Sequence, residues 1–409
     1  MPIRLEDYQE FTGPGVIEEL RALAGRVAGR SMQHINSTSV GGGVAEILTR
    51  LVPLLRELGV NATWDVIKGD QAFFSVTKAF HNALHGKPEE ITAEMYEIFR
   101  ANTETNLRDV NLTGDAIFVH DPQPAGLVAR KQDIGRRWVW RCHIDISAPQ
   151  PDVWKFLRPS IEQYDAAIFS MPDFAQRLPV AQFRIAPSID PLSDKNKPLD
   201  STYVAKVLEK YHIDPGRPVL TQISRFDRFK DPVGVIAAYR MVKKRRRCQL
   251  VLAGGGAPDD PEGDEVLRDV QQAAADDPDI HVLLLPPFSD LEINALVRGS
   301  TVVIQKSIRE GFGLTVSEAL WKKKAVLGGA TGGIKLQIID GITGFLVHSA
   351  EGAATRITQL LGDRRLRDRM GENGYQHVRQ NFLLTRHVRD YILTMLALEH
   401  PGESMIHLA

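Results

Sequence analysis

Cysteine is nearly missing from this chain of 409 residues: Cys142 and Cys248 are the two present, far apart and without metal-ligand neighbours. That excludes a disulfide framework and a zinc knuckle, and it fits a reducing compartment. An excess of either charge is missing too, since 50 Lys and Arg stand against 51 Asp and Glu. With no global field to draw in nucleic acid or anionic lipid, any anion site must be local. No apolar run approaches the ~20 residues of a membrane span, and Met1 to Tyr8 has no apolar core of signal-peptide length. A cytoplasmic protein with no membrane span and no nucleic-acid partner is expected. What is present is ordinary for a globular protein, 43% hydrophobic and 25% charged residues, over a length that suggests two or three domains.

Short apolar runs alternate with amphipathic segments, the pattern of successive βα units building parallel sheets. In the first half, strands are expected at 32–36, 63–67, 116–120, 138–143, 166–170 and 183–186. Val44, Ile47, Leu48, Leu51, Leu54, Leu55 and Leu58 recur at helical spacing between the first two. Two further helices are expected within 72–85 and 89–108. Residues 187–198, rich in turn formers, mark a boundary. A second series follows, with strands at 219–224, 249–253, 281–285, 302–305, 325–328 and 345–347, and the tail reads as helices alone. The expected fold class is α/β, with two doubly wound Rossmann-like domains facing a cleft: residues 1–190, then 191–380, then a helical segment, 381–409, that returns to the first domain. Ligands bind such sheets at the carboxyl ends of the strands.

Candidate chemistry gathers at those ends. Gly41-Gly42-Gly43 follows the first strand and opens a helix, where bare N–H groups could approach a phosphate or sugar; the alternative is a tight turn. The dinucleotide fingerprint fails there because Glu46 stands where the third glycine belongs. Gly254-Gly255-Gly256 reads as a strand-end loop. Arg225 and Lys230, in a short strand-to-helix connection, could neutralise a diphosphate, or else pair with Asp227 and Asp231 on a solvated loop. In Glu310-Gly311-Phe312-Gly313-Leu314-Thr315-Val316-Ser317-Glu318, two carboxylates flank a glycine turn and a helix start, so phosphate, ribose and sugar contacts could come from one segment. Taken singly, Glu318 reads as dipole stabilisation and Glu310 as a partner of Arg309. Lys243 to Arg247 and Lys322 to Lys324 read as solvated helix ends, and Asp277-Pro278-Asp279 as a polar connection, so no metal site is expected.

These two α/β halves, with Arg225, Lys230 and the Glu310 to Glu318 segment in the second, resemble the retaining, nucleotide-sugar-dependent glycosyltransferases of the GT-B fold over nearly the whole chain. Within that group His120-Asp121-Pro122-Gln123-Pro124, Trp140 to Asp145 and Ser307 to Gly313 look most like trehalose-forming synthases. The resemblance implies α,α-trehalose made from a nucleotide-glucose, ADP-glucose or UDP-glucose, and free glucose, with the reverse reaction consuming trehalose and nucleoside diphosphate. It implies Arg225, Lys230, Glu310 and His143 as catalytic residues. Gly42, Gly43, Arg225, Lys230, Gly313, Leu314, Thr315 and Glu318 would hold the donor, and Asp121, Gln123 and His143 the acceptor. No cofactor is required on this reading; a divalent cation such as Mg2+ could assist without a dedicated site, and a homodimer is compatible. The family commonly has a glycine and a proline where this chain has Lys323 and Ala325. Other acceptors, nucleotide-sugar isomerisation and a non-catalytic nucleotide-sugar sensor stand as alternatives; a nicotinamide oxidoreductase is disfavoured by the missing fingerprint.

Overall fold

The computed structural model describes residues 4–39, 42–255, 261–275 and 277–403. Its contacts divide the chain into two compact units, residues 1–188 with 384–409 and residues 189–383.

The first unit carries β1 (Ser31–Asn36), β2 (Asn61–Val66), β3 (Ala116–His120), β4 (Arg137–Arg141), β5 (Ala166–Phe169) and β6 (Ala181–Arg184) in one parallel sheet ordered β2-β1-β3-β4-β5-β6. Central strands are buried on both faces, which is why β3 reads Ala-Ile-Phe-Val-His without polar alternation. Edge strand β6 is largely exposed. The order in which strands are added reverses between β1 and β3, so the crevice of this sheet opens at their carboxyl ends. The last helix, Leu384–Glu399, packs on helices Pro14–Arg26 and Gly42–Glu57 of this unit. Val388, Ile392 and Met395 are buried there at helical spacing, each stabilising by roughly 1.5–3 kcal/mol. His387 Nδ1 lies 2.8 Å from Ser188 Oγ, and Arg386 donates to the carbonyls of Ala186 and Pro187.

The second unit holds β7 (Val219–Ile223), β8 (Gln249–Gly255), β9 (Ile280–Leu285), β10 (Val302–Gln305), β11 (Ala325–Gly329) and β12 (Gly344–Val347), ordered β12-β11-β10-β7-β8-β9 and parallel throughout. Counted within the unit this is the 3-2-1-4-5-6 order of dinucleotide-binding sheets, with its switch point between β7 and β10. The core packs Leu220, Leu250 and Ile304 from the sheet against Val235 and Tyr239 of helix Pro232–Lys243 and Ile357 of helix Ala350–Gly362.

Each expected strand is present, with ends displaced by at most two residues. β4 stops at Arg141, so His143 stands beyond the strand. Gly254 and Gly255, expected in a loop, belong to β8; a Cβ at Gly254 would collide with the carbonyl oxygen of Ser224, so glycine is what lets β8 run on beside the end of β7. Gly256 lies outside the described residues, as does Gly41.

Candidate active site

The switch point of the second sheet collects most of the expected nucleotide-side residues. The connection after β7 runs through Ser224-Arg225-Phe226 and a single turn, Arg228–Lys230, capped by Asp227, whose carboxylate accepts from Phe229 N. It is pinned from two sides: Ile308 N, past the end of β10, donates to Phe229 O at 2.8 Å, and Gln222 Nε2 of β7 donates to Lys230 O at 2.7 Å. Lys230 is thereby aimed at Glu310, with Nζ 2.6 Å from Oε2 and side-chain exposures of 18% and 9%. Ser307 Oγ also donates to that oxygen at 3.1 Å, and Gln305 Nε2 stands 3.5 Å away. Of the pairings expected from sequence, that of Arg225 with Asp227 is present, whereas Lys230 pairs with Glu310 rather than Asp227 or Asp231, and Asp231 takes Lys306. Arg225 keeps its side chain about half exposed, with Nη2 3.7 Å from Asp227 Oδ2.

Past Glu310 the chain turns through Gly313, at φ +81°, into helix Leu314–Trp321, which has no side-chain cap. Its first N–H groups, Leu314 and Thr315, therefore face the switch point without a built-in acceptor, a local positive end of the helix. Thr315 Oγ1 donates to Ile223 O at 3.2 Å, which ties the helix start to the end of β7. The turn is crowded: Gly332, at φ +45°, admits no Cβ because the Glu310 carbonyl oxygen occupies that space. Glu318, on the second turn, is 4% exposed, and its Oε1 has no hydrogen-bond partner among the described residues. A buried carboxylate oxygen left open is costly in isolation.

Of the three lysines after this helix, Lys323 is exposed as expected, and Lys322 and Lys324 are not. Lys322 is buried, not solvated, donating to Asn196 Oδ1 at 2.8 Å and Glu318 O at 3.0 Å. Burial pulls its ammonium down to about 7; Glu318 opposes that, and Arg298 and Lys195 reinforce it. Lys324, also mostly enclosed, is held to about 8 by burial and then Arg298. Lys323 adopts φ +56°, a left-handed turn with a side chain in it; its Nζ pairs with Glu372 at 2.7 Å and lies over the Tyr375 ring. Lys244 to Arg247 are exposed as expected, and Asp277 and Asp279 are both held by Lys243, with Arg217 on Asp279. Among the described residues no group of three or more His, Cys, Asp or Glu is arranged to hold a metal.

The first unit's switch point holds the remaining residues. Gly42 and Gly43 open helix Gly42–Glu57 directly after β1. Asp121, immediately after β3, adopts φ +66°, with its N–H bonded to Arg141 O of β4 at 2.8 Å and its Oδ1 accepting from His143 N at 2.7 Å. Burial raises the Asp121 carboxyl to about 6, against the lowering effects of the His143 N–H and Arg141. Gln123 Oε1 is buried with no partner among the described residues. Two residues to which the sequence reading gave no role, His34 and His120, complete this corner: His34 Nδ1 is 3.0 Å from His120 Nε2, and His120 Nδ1 is 2.9 Å from His143 Nε2. Arg141, wholly buried, donates to Ile185 O at 2.7 Å. Sequence spacing cannot join residues 34, 120 and 143. The available signal was strand adjacency, since His34 ends up beside Phe118 in the β1–β3 register and His120 beside Arg141 in that of β3 and β4.

Among the described residues no helix is long and apolar enough to cross a membrane. Residues 34–176 match the trehalose synthase N-terminal domain, and residues 205–377 match the glycosyl transferases group 1. The chain is 45% identical to the trehalose synthase of Thermococcus litoralis over 95% of this chain and 96% of that one, and 44% identical to the trehalose synthase of Rubrobacter xylanophilus over 94% and 95%. Among solved structures, a UDP-forming α,α-trehalose-phosphate synthase from Burkholderia xenovorans in complex with glucose-6-phosphate superposes with a TM-score of 0.75 at 14% identity, covering 91% of this chain and all of that one, a likeness of fold. A group 1 match in the second unit, whose switch point carries the Lys230–Glu310 pair, fits a nucleotide-sugar donor. The protein belongs to the trehalose synthase family, hexosyltransferases of the GT-B fold.

Proposed function

We propose that the protein transfers glucose from ADP-glucose or UDP-glucose to free glucose with retention, giving α,α-trehalose and nucleoside diphosphate, reversibly. The bond from donor C1 to the phosphate oxygen breaks, and C1 bonds to the anomeric oxygen of the acceptor on the same face. The acceptor's hydroxyl proton leaves with the diphosphate. The names of the relatives support this choice of product. The observation that carries the donor half is Glu318, whose buried, partnerless Oε1 sits near the uncapped start of helix Leu314–Trp321.

The second unit takes the nucleotide. Glu318 accepts from the ribose hydroxyls, and the N–H groups of Leu314 and Thr315, reached past Gly313, meet phosphate or sugar oxygens. Arg225 and Lys230 offset charge on the diphosphate as it departs, where fixed cations outweigh mobile water dipoles. Glu310 orients Lys230 and contacts the donor sugar. In the first unit Gly42 and Gly43 let backbone approach the donor, while Asp121, Gln123 and His143 hold the acceptor, His143 also standing beside the transferred glucose. No resident cofactor is needed; Mg2+ could assist the leaving diphosphate from solution. Both cysteines are free and buried, in keeping with a cytoplasmic setting.

Nucleoside diphosphate release from each nucleotide-glucose, with and without glucose, tests this reading. Release should depend on added glucose. Equal release without glucose would make the protein a hydrolase, and binding without release would make it a sensor.

A further inference from the structure

The contacts among His34, His120 and His143 define a continuous path of ring nitrogens from the sheet interior to the residue proposed to meet the sugar. His34 is 0% and His120 1% exposed, whereas His143 is partly exposed. All three are held neutral. Burial pulls His34 down to about 3 and takes His120 and His143 well below the ordinary imidazole value, with the Arg141 guanidinium adding to the effect on the latter two. The other groups facing the path are His387 and Tyr391 from the last helix, both buried, and His387 is likewise held neutral.

A neutral imidazole carries one N–H, so three rings bring three protons to two contacts, and the third must sit at one end. If the rings donated from His143 toward His34, the surplus N–H would be His34 Nε2, which is buried and has no partner among the described residues, on a ring packed against those of Phe118 and Tyr391. An orphaned buried N–H is rarer than an under-used acceptor. Donation in the other direction leaves His34 Nε2 as a bare lone pair and puts the surplus proton on His143, where solvent or a ligand can take up the bond. We propose that His34 and His120 are positioning residues for His143: they donate in series, occupy its Nε2, fix its proton on Nδ1, and so make it a neutral hydrogen-bond donor to a sugar hydroxyl. The last step rests on the placement of His143 at the sugar; the series of bonds does not.

The test uses full-length protein with ring-15N-labelled histidine, the His143 signals being identified by their loss in His143→Gln. Long-range 1H–15N spectra of the wild type should show His143 protonated at Nδ1 and bare at Nε2, without titration between pH 6 and 8. His120→Leu should release the ring toward the Nε2–H form that free histidine prefers. His120→Asn, whose amide lies where Nδ1 stood, should restore the Nδ1–H form. Glucosyl transfer should follow, with kcat about tenfold lower in the Leu variant, the loss expected for one misdirected hydrogen bond, and largely recovered in the Asn variant. A wild-type His143 protonated at Nε2, or titrating near 6.5, overturns the proposal even if no variant folds. An unchanged His143 tautomer in His120→Leu overturns it as well. Tautomers that shift as described with transfer unchanged would uphold the series of bonds and remove His143 from the sugar.

Discussion

Replacing Lys230 by methionine perturbs the proposed donor site at its buried ion pair. Nζ lies 2.6 Å from Glu310 Oε2, and both side chains are mostly out of solvent. Removing one partner of a buried pair costs about 3–5 kcal/mol, because the other charge stays behind unpaired. Here Ser307 Oγ and Gln305 Nε2 still approach the stranded oxygen, so the lower end, about 3 kcal/mol, applies. At roughly 2–4 °C per kcal/mol for a unit of this size, the unfolding midpoint should fall by roughly 6–12 °C. Glu310→Gln strands the lysine instead. In the double variant no buried charge lacks a partner, so much of the loss should return, and the two effects should be far from additive. Scanning calorimetry of the four proteins supplies the cycle, while transfer should be lost in all three variants. Strict additivity, or a Lys230→Met midpoint within a degree or two of wild type, would refute the pairing.

Glu318→Gln should weaken nucleoside diphosphate binding about tenfold or more by titration calorimetry, because an ionised acceptor becomes an amide with one acceptor oxygen; equal affinity would take Glu318 out of the site. Lys322→Met reports on pH: with the ammonium at about 7 in the fold and 10.5 ordinarily, the unfolded chain holds the extra proton between those values, so wild-type stability rises through that window as this penalty is relieved. The variant's advantage in urea unfolding should therefore be greatest near pH 7 and shrink toward pH 10, and a flat difference would contradict the burial of that charge. Gly332→Ala should cost several kcal/mol or abolish transfer, since a Cβ there meets the Glu310 carbonyl at positive φ; wild-type stability and activity would show that the turn yields.

The alternation of apolar and amphipathic segments made both sheets legible, because parallel strands buried on two faces need continuous apolar runs such as Val302-Val303-Ile304. Strand ends were less legible. Gly254 looks like a loop residue until the neighbouring Ser224 carbonyl is seen, and His143 looks like a strand terminus until β4 is seen to stop at Arg141. The Glu310 to Glu318 segment could be found from sequence because its residues are near neighbours. The Lys230–Glu310 contact spans 80 residues, and the series through His34, His120 and His143 joins three separate strand regions; only the strand order brings them together. Lys322 shows the reverse error. A basic run at a helix end suggests solvent, yet Asn196 and the end of its own helix enclose its first residue.

The central claim is retaining transfer from a nucleotide-glucose to glucose, and proton NMR of the product tests it most directly. With an α-linked nucleotide-glucose and 13C-labelled glucose as acceptor, the account predicts a single non-reducing disaccharide with equivalent α-anomeric protons, one ring labelled and one not, formed together with nucleoside diphosphate. A β-anomeric signal on the transferred ring, a reducing disaccharide, or no product with glucose under conditions where another acceptor is glucosylated would contradict it.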